Sequence, residues 1–149
     1  MPHRLSRLAT AICAVIAVAI TTSAFAHQVV EVADGQYKVI AGYLVNPAYS
    51  GQLNGIDLAI RDATDQPITG LEGSLTIIVI APDGTELTLT ARANAAKDGW
   101  YTANFIPAVA GNYDFRVSGF IGEVEFEAYF DEPSHSDPAV LDAATITLP

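Results

Sequence analysis

His27 and His135 are the residues of this chain best suited to hold a metal, and Asp83, Asp131 and Asp137 are the carboxylates that would complete a site with them. What singles out His27 is the segment before it. Arg4 and Arg7 place positive charge near the start, Ala11–Ile20 is an unbroken apolar run, and Ala24-Phe25-Ala26 puts small residues at both positions of a peptidase site. This is the pattern of a cleavable secretory signal peptide. The apolar run is too short for a membrane span, which takes roughly 20 residues. Removal of residues 1–26 from the 149 leaves a mature chain of 123 that begins at His27. A free α-amine beside an imidazole, joined by a second imidazole and a carboxylate, suits tetragonal Cu(II). Zinc would take the same atoms. All of these ligands must shed protons to bind, so affinity should fall in acid.

The same cut removes Cys13 and Met1, the only sulfur-bearing side chains. Cu(I) prefers soft sulfur, so its transfer through thiols or thioethers is excluded. So is a disulfide framework; an exported chain of this kind must hold together by its core. The mature chain carries 17 acids against five bases (Lys38, Arg61, Arg92, Lys97 and Arg116), a formal charge of −12. Nucleic acid is a poor partner for it, because phosphate binding needs clustered Lys and Arg.

Hydrolytic chemistry finds no foothold. Ser134, His135, Ser136 and Asp137 are adjacent in sequence, which is the composition of a polar loop rather than a triad. No G-x-S-x-G, H-E-x-x-H or phosphate-binding loop occurs. The expectation is a non-enzymatic binding protein. An exposed histidine in the loop at Pro133–Pro138 also needs no ligand to explain it.

The elements that must position these residues read as strands. Short β-rich runs alternate with turn signals, and no 3.6-residue period persists. The runs are Gln28–Val32, Tyr37–Val45, Ile56–Asp62, Leu75–Ala81, Glu86–Arg92, Trp100–Ile106, Tyr113–Phe120 and Val124–Asp131, with Thr145–Leu148 as a short edge strand. Leu75–Ala81 is apolar on both faces, as in a central strand or one side of an interface. About seven or eight such strands predict an all-β antiparallel sandwich. The organisation is a leader (1–26), a sandwich (27–132) and a C-terminal tail (133–149).

A two-residue turn at Ile121-Gly122 would set Arg116 opposite Glu127 and Phe115 opposite Ala128. Tyr113, Phe115 and Val117 then share a face with Val124, Phe126, Ala128 and Phe130. Glu123, Glu125 and Glu127 line the other face, either as a strip for a basic partner or as a solvated face that discourages edge pairing. If every connection reverses direction, the start of the first strand meets the loops at Asn46–Gly55, Pro82–Gly84, Pro107–Asn112 and Asp131–Pro138. His27, His135, Asp83, Asp131 and Asp137 all fall at that end. Tyr49 falls there too, either as an exposed recognition tip that contacts a partner or as a cap on the core.

Gly99-Trp100-Tyr101-Thr102-Ala103-Asn104-Phe105-Ile106-Pro107 followed by Gly111-Asn112-Tyr113-Asp114-Phe115-Arg116-Val117, with Pro67-Ile68-Thr69-Gly70-Leu71, resembles the pattern of exported immunoglobulin-like modules of the YtkA-like group. The resemblance spans about Tyr37 to Phe130 and implies a fold rather than a task. Tyr113 fits a tyrosine corner, its hydroxyl returning to nearby backbone. A second resemblance rests on His27 alone. Copper-binding sandwiches of the CopC-like kind begin, once processed, with a histidine, and this implies Cu(II) on its amine and imidazole. The alternative is an immunoglobulin-like module that docks, without metal, on an envelope or extracellular partner through the loops of that end or an edge strand.

Overall fold

The computed structural model describes residues 27–131 and 139–148. Nine strands run through it: β1 (His27–Val32), β2 (Tyr37–Tyr43), β3 (Asn54–Asp62), β4 (Thr76–Ile80), β5 (Glu86–Thr90), β6 (Arg92–Ala93), β7 (Trp100–Phe105), β8 (Asp114–Ile121) and β9 (Val124–Phe130). They form two antiparallel sheets, ordered β1-β2-β3-β7-β6 and β5-β4-β8-β9. This is the sandwich expected from the alternation. Val39, Ile56, Leu58, Ile60 and Tyr101 from the first sheet meet Ile77, Phe115, Val117 and Phe130 from the second, all buried. β4 is an inner strand, with Ile77 and Val79 in the core and Ile78 and Ile80 half-buried on the outer face.

Four details differ from the sequence pattern. First, Tyr37–Val45 ends early: Val45 is exposed beyond β2. The buried side chain of Asn54 replaces the ladder there, its Oδ1 accepting from the Val45 N–H and its amide donating to the Val45 carbonyl. Second, Glu86–Arg92 is two strands in different sheets. Buried Ala91 is the point at which the chain leaves one sheet for the other.

Third, the β8–β9 turn is one residue later, at Gly122-Glu123. Arg116 therefore faces Tyr129, not Glu127, and Phe115 faces Phe130. Gly122 takes φ 62 at the first turn position, where tight hairpins favour glycine. Moving the turn by one residue shifts the pairing by two, so every side chain keeps its face.

Fourth, the C-terminal edge strand is absent. A 3-10 helix, Ala143–Thr145, stands there, with the Asp142 side chain accepting from the Ala144 N–H and the Thr145 and Thr147 hydroxyls donating to nearby carbonyls. Such local bonds compete with strand pairing. Just before it, Val140 pairs with Gly111 and Leu141 with Tyr49, so this part of the tail is built into the sandwich.

Two tyrosines tie loops to the frame. The Tyr113 hydroxyl donates to the Val109 carbonyl and accepts from its N–H, closing the tyrosine corner. The Tyr101 hydroxyl donates to the Ile68 carbonyl at 2.7 Å and accepts from the Leu71 N–H at 3.2 Å, which pins the loop containing Pro67 and Gly70. Gly99 lies under that loop at φ 70; a Cβ there would stand 2.7 Å from that of Pro67.

Candidate metal centre

His27 opens β1, the edge strand of the five-stranded sheet. Antiparallel register aligns His27, Gly42, Asp57 and Thr102 in one row across β1, β2, β3 and β7. Residues in such a row share a sheet face. Gly42 offers no side chain, so the imidazole lies across it and reaches the second strand over. His27 Nε2 stands 3.2 Å from Asp57 Oδ2.

The next row on that face is Val29, Ile40, Ala59 and Trp100. Small Ala59 leaves room for Trp100 to meet the histidine ring edge to face, with centroids 5.7 Å apart and planes at 87°. Lys97 Nζ lies over the indole ring, 4.5 Å from its centroid. The side chains of His27 and Asp57 are 27% and 14% exposed, enough shelter to fix the ring while leaving it reachable from solvent.

The chemistry of this pair follows from which nitrogen is engaged. With Nε2–H donating to Asp57, the lone pair of Nδ1 is free, and Nδ1 is the ring nitrogen nearer the main chain of the same residue. A carboxylate on the far nitrogen is the usual partner of a metal-ligating imidazole; it fixes the tautomer and raises ligand basicity.

The other sequence-derived positions are placed as follows. The antiparallel order brings the start of β1, the end of β9 and the loops after β2, β4 and β7 to one end of the sandwich. Their contacts confirm it: Gly51 N–H donates to the Pro107 carbonyl, and the Leu141 N–H to that of Ala48. Asp131 directly follows β9, whose strand neighbours β1 across the sandwich edge. Asp83 sits at the same end but in the β4–β5 turn, at the opposite edge. Its carboxylate accepts from the Thr85 N–H at 2.9 Å, and that bond, with the Thr85 hydroxyl, holds it below the usual carboxylate range. Asp83 is thus engaged in its own turn and is not brought to His27.

His135 and Asp137 lie outside the described residues. Among the described residues no three His, Cys, Asp or Glu side chains gather in a metal-binding group. Tyr49 is half-buried, between buried Ala48 and the bridge to Leu141. Glu125 and Glu127 are exposed along β9, and Glu123 is exposed in the turn before it. Asp57 and Trp100 were not among the sequence-derived candidates. Their signal was the alternation of β3 and β7, which turns both residues away from the core, but only the pairing with β1 reveals what they meet.

No protein-family model matches the chain, and no curated protein does. Among solved structures it is similar to the filamin domain of Lin-41, at 13% identity over 68% of this chain and 90% of that one, with a TM-score of 0.41. At that level the likeness concerns sandwich architecture alone. No helix among the described residues is long and apolar enough to cross a membrane.

Proposed function

We propose that this chain is an exported, non-enzymatic binding protein that takes Cu(II) at its processed N-terminus. The observation that carries the reading is the bond between His27 Nε2 and Asp57 Oδ2. It presents Nδ1 as the free donor. Once the peptide bond to Ala26 is cut, the α-amine and Nδ1 of one residue would close a chelate ring on the metal. Asp57 orients the ring and does not itself ligate. His135, Asp137 and Asp131 are the donors proposed for the remaining positions of the tetragonal ion. The absence of sulfur from the mature chain favours Cu(II) over Cu(I). The CopC-like resemblance, which rests on His27, supports the same reading.

Thermal melting of the processed chain with and without Cu(II) tests it. A ligand at 100 times its Kd adds about 2.7 kcal/mol, on the order of 10 °C in Tm for a domain of this size. Trp100, the only tryptophan, should lose fluorescence in step, since a paramagnetic ion beside His27 quenches it. Both responses should vanish when one residue is added before His27. No shift at micromolar Cu(II), or an equal shift in the extended variant, overturns the proposal.

A second reading draws on one further observation. Leu44, Val45, Leu53, Ile106, Val109 and Leu141, all at the His27 end, are at least 41% exposed. Such a concentration of apolar loop residues is what a module docking on an envelope partner would present. Substituting Val45 and Leu53 with serine would abolish docking and leave the Cu(II) response intact, which separates the two readings.

A further inference from the structure

We infer that β5 is a self-association edge, at which two copies of this chain join their four-stranded sheets about a two-fold axis at Thr88. A sheet edge is a row of unpaired N–H and C=O groups, and folded proteins usually guard it. Three of the four edges described here are guarded. β9 carries exposed Glu125 and Glu127, with Glu123 in the turn that leads into it. β6 has only two residues. β1 has β9 packed beside it. β5, Glu86-Leu87-Thr88-Leu89-Thr90, has no proline and no basic residue, and its one charge is at its first position.

The backbone settles which groups are free. The Ala81 N–H donates to the Thr85 carbonyl at 2.8 Å, which makes Ala81 and Thr85 a bonded pair of the β4–β5 ladder. Bonded and non-bonded pairs alternate in antiparallel strands. Leu87 and Leu89 therefore bond to β4, and Glu86, Thr88 and Thr90 direct their N–H and C=O groups outward. An antiparallel partner must oppose outward groups to outward groups. Pairing two β5 strands about Thr88 does this: Thr88 faces Thr88, and Glu86 faces Thr90 of the other copy. Each forms a reciprocally bonded pair with Cα atoms about 5.5 Å apart.

The side chains agree with a second copy as occupant. The short palindrome Leu-Thr-Leu puts Leu87 opposite Leu89 of the other copy, on the inward side of the sheet. Leu87 is 50% exposed and lines an apolar groove of about 280 Å³ with Phe105, Ile106 and Tyr113, in the open margin between β5 and β7. Charge sorts the registers. Centring on Thr88 leaves each Glu86 opposite a threonine, whereas centring on Glu86 would force two carboxylates together. The net negative charge of each copy opposes association, so salt, which screens it, should raise the dimer fraction.

The test is sedimentation equilibrium on protein expressed from the complete coding sequence. Expected is a concentration-dependent dimer that grows with salt and is lost in Thr88→Lys, which sets two positive charges at the axis. Thr88 is exposed, so at a dilution where both proteins are monomeric the melting temperature of that variant should match the parent value, which confirms folding. In parallel, Thr88→Cys should form an intermolecular disulfide under mild oxidation, because the expected Cα spacing suits one. Glu125→Cys on the guarded edge should not. A chain that stays monomeric up to about 1 mM, a dimer that survives Thr88→Lys, or equal cross-linking at both cysteines would overturn the proposal.

Discussion

At one end of the sandwich, Tyr101 clasps the loop between β3 and β4, and Asp62 organises the turn that follows β3. The described bonds that close this end come from the strands and the loops that join them. At the other end, Tyr113 clasps its own loop by the same two-bond device, but closure also needs residues from beyond β9. Val140, 2% exposed, sits in the core beneath Gly111, while Leu141 bonds across to Ala48 and Ser50. The locally closed end carries no candidate site. The end closed by a distant segment carries His27, the exposed apolar loops and, on the proposed reading, the metal. Loops that a rigid frame holds but does not fully cover are where binding is usually found.

The sharpest way to break this contrast is at Val140. Val140→Asp would put a carboxylate where a valine is enclosed, and should destabilise the domain by about 4 kcal/mol. Urea unfolding measures this. A loss under about 1 kcal/mol would mean that the tail only lies on this end and does not close it. Next come the two clasps. Tyr101→Phe leaves the Ile68 carbonyl and the Leu71 N–H without their partner and should cost about 2 kcal/mol. Tyr113→Phe should cost about 1 kcal/mol, because its bonds to Val109, 3.1 and 3.2 Å, are both long. Burial raises the Tyr101 pKa above its ordinary value. A raised folded-state pKa means that the clasp is intact below the unfolded value near 10 and is lost as pH climbs through the folded one. Alkaline unfolding should therefore begin at the locally closed end.

Asp57→Asn addresses the end with the candidate site. The amide can still face Nε2, but it lacks the charge that orients the ring and strengthens its donor character. Cu(II) affinity should fall about tenfold, in line with other partners of ligating histidines. Stability without metal should hardly change, since Asp57 is at the surface of the sheet. Titration calorimetry and melting, run on the same variant, separate the two effects.

These particulars also show where sequence reading stopped. Strand positions and the tyrosine corner were legible because alternation and turn residues are local signals. That His27 sits at the same end as the loops after β2, β4 and β7 followed from direction reversal alone. The hairpin register slipped because two adjacent pairs, Ile121-Gly122 and Gly122-Glu123, both fit a glycine turn, and a shift of two hides itself by preserving the faces. The edge strand expected near Thr145 failed to a capping aspartate and two threonine hydroxyls. Asp57 and Trp100 went unseen for a different reason. Their contact with His27 depends on Gly42 and Ala59 being small on the two intervening strands, and that is a property of the assembled rows rather than of any one segment.

The smallest expected effect separates the ends by acid. Asp62 Oδ1 accepts from the Gln66 N–H, the Thr64 N–H and the Thr64 hydroxyl. The bond from Gln66, then that from the Thr64 hydroxyl, holds its pKa below the ordinary value. A lowered folded-state pKa means that this turn is fully supported above the unfolded value near 4 and loses support as pH falls through the folded one. Asp83, at the His27 end, is lowered in the same direction by its own turn, through the N–H and hydroxyl of one residue, Thr85, where Asp62 draws on two. Acid should thus loosen the turn at Asp62 more than the turn at Asp83. Amide exchange at Gln66 and Thr85, followed from about pH 5 down to about pH 2, reads both. Protection at Gln66 should fall further, and Asp62→Asn, whose side-chain oxygen still accepts but does not titrate, should flatten that fall while leaving Thr85 as it was.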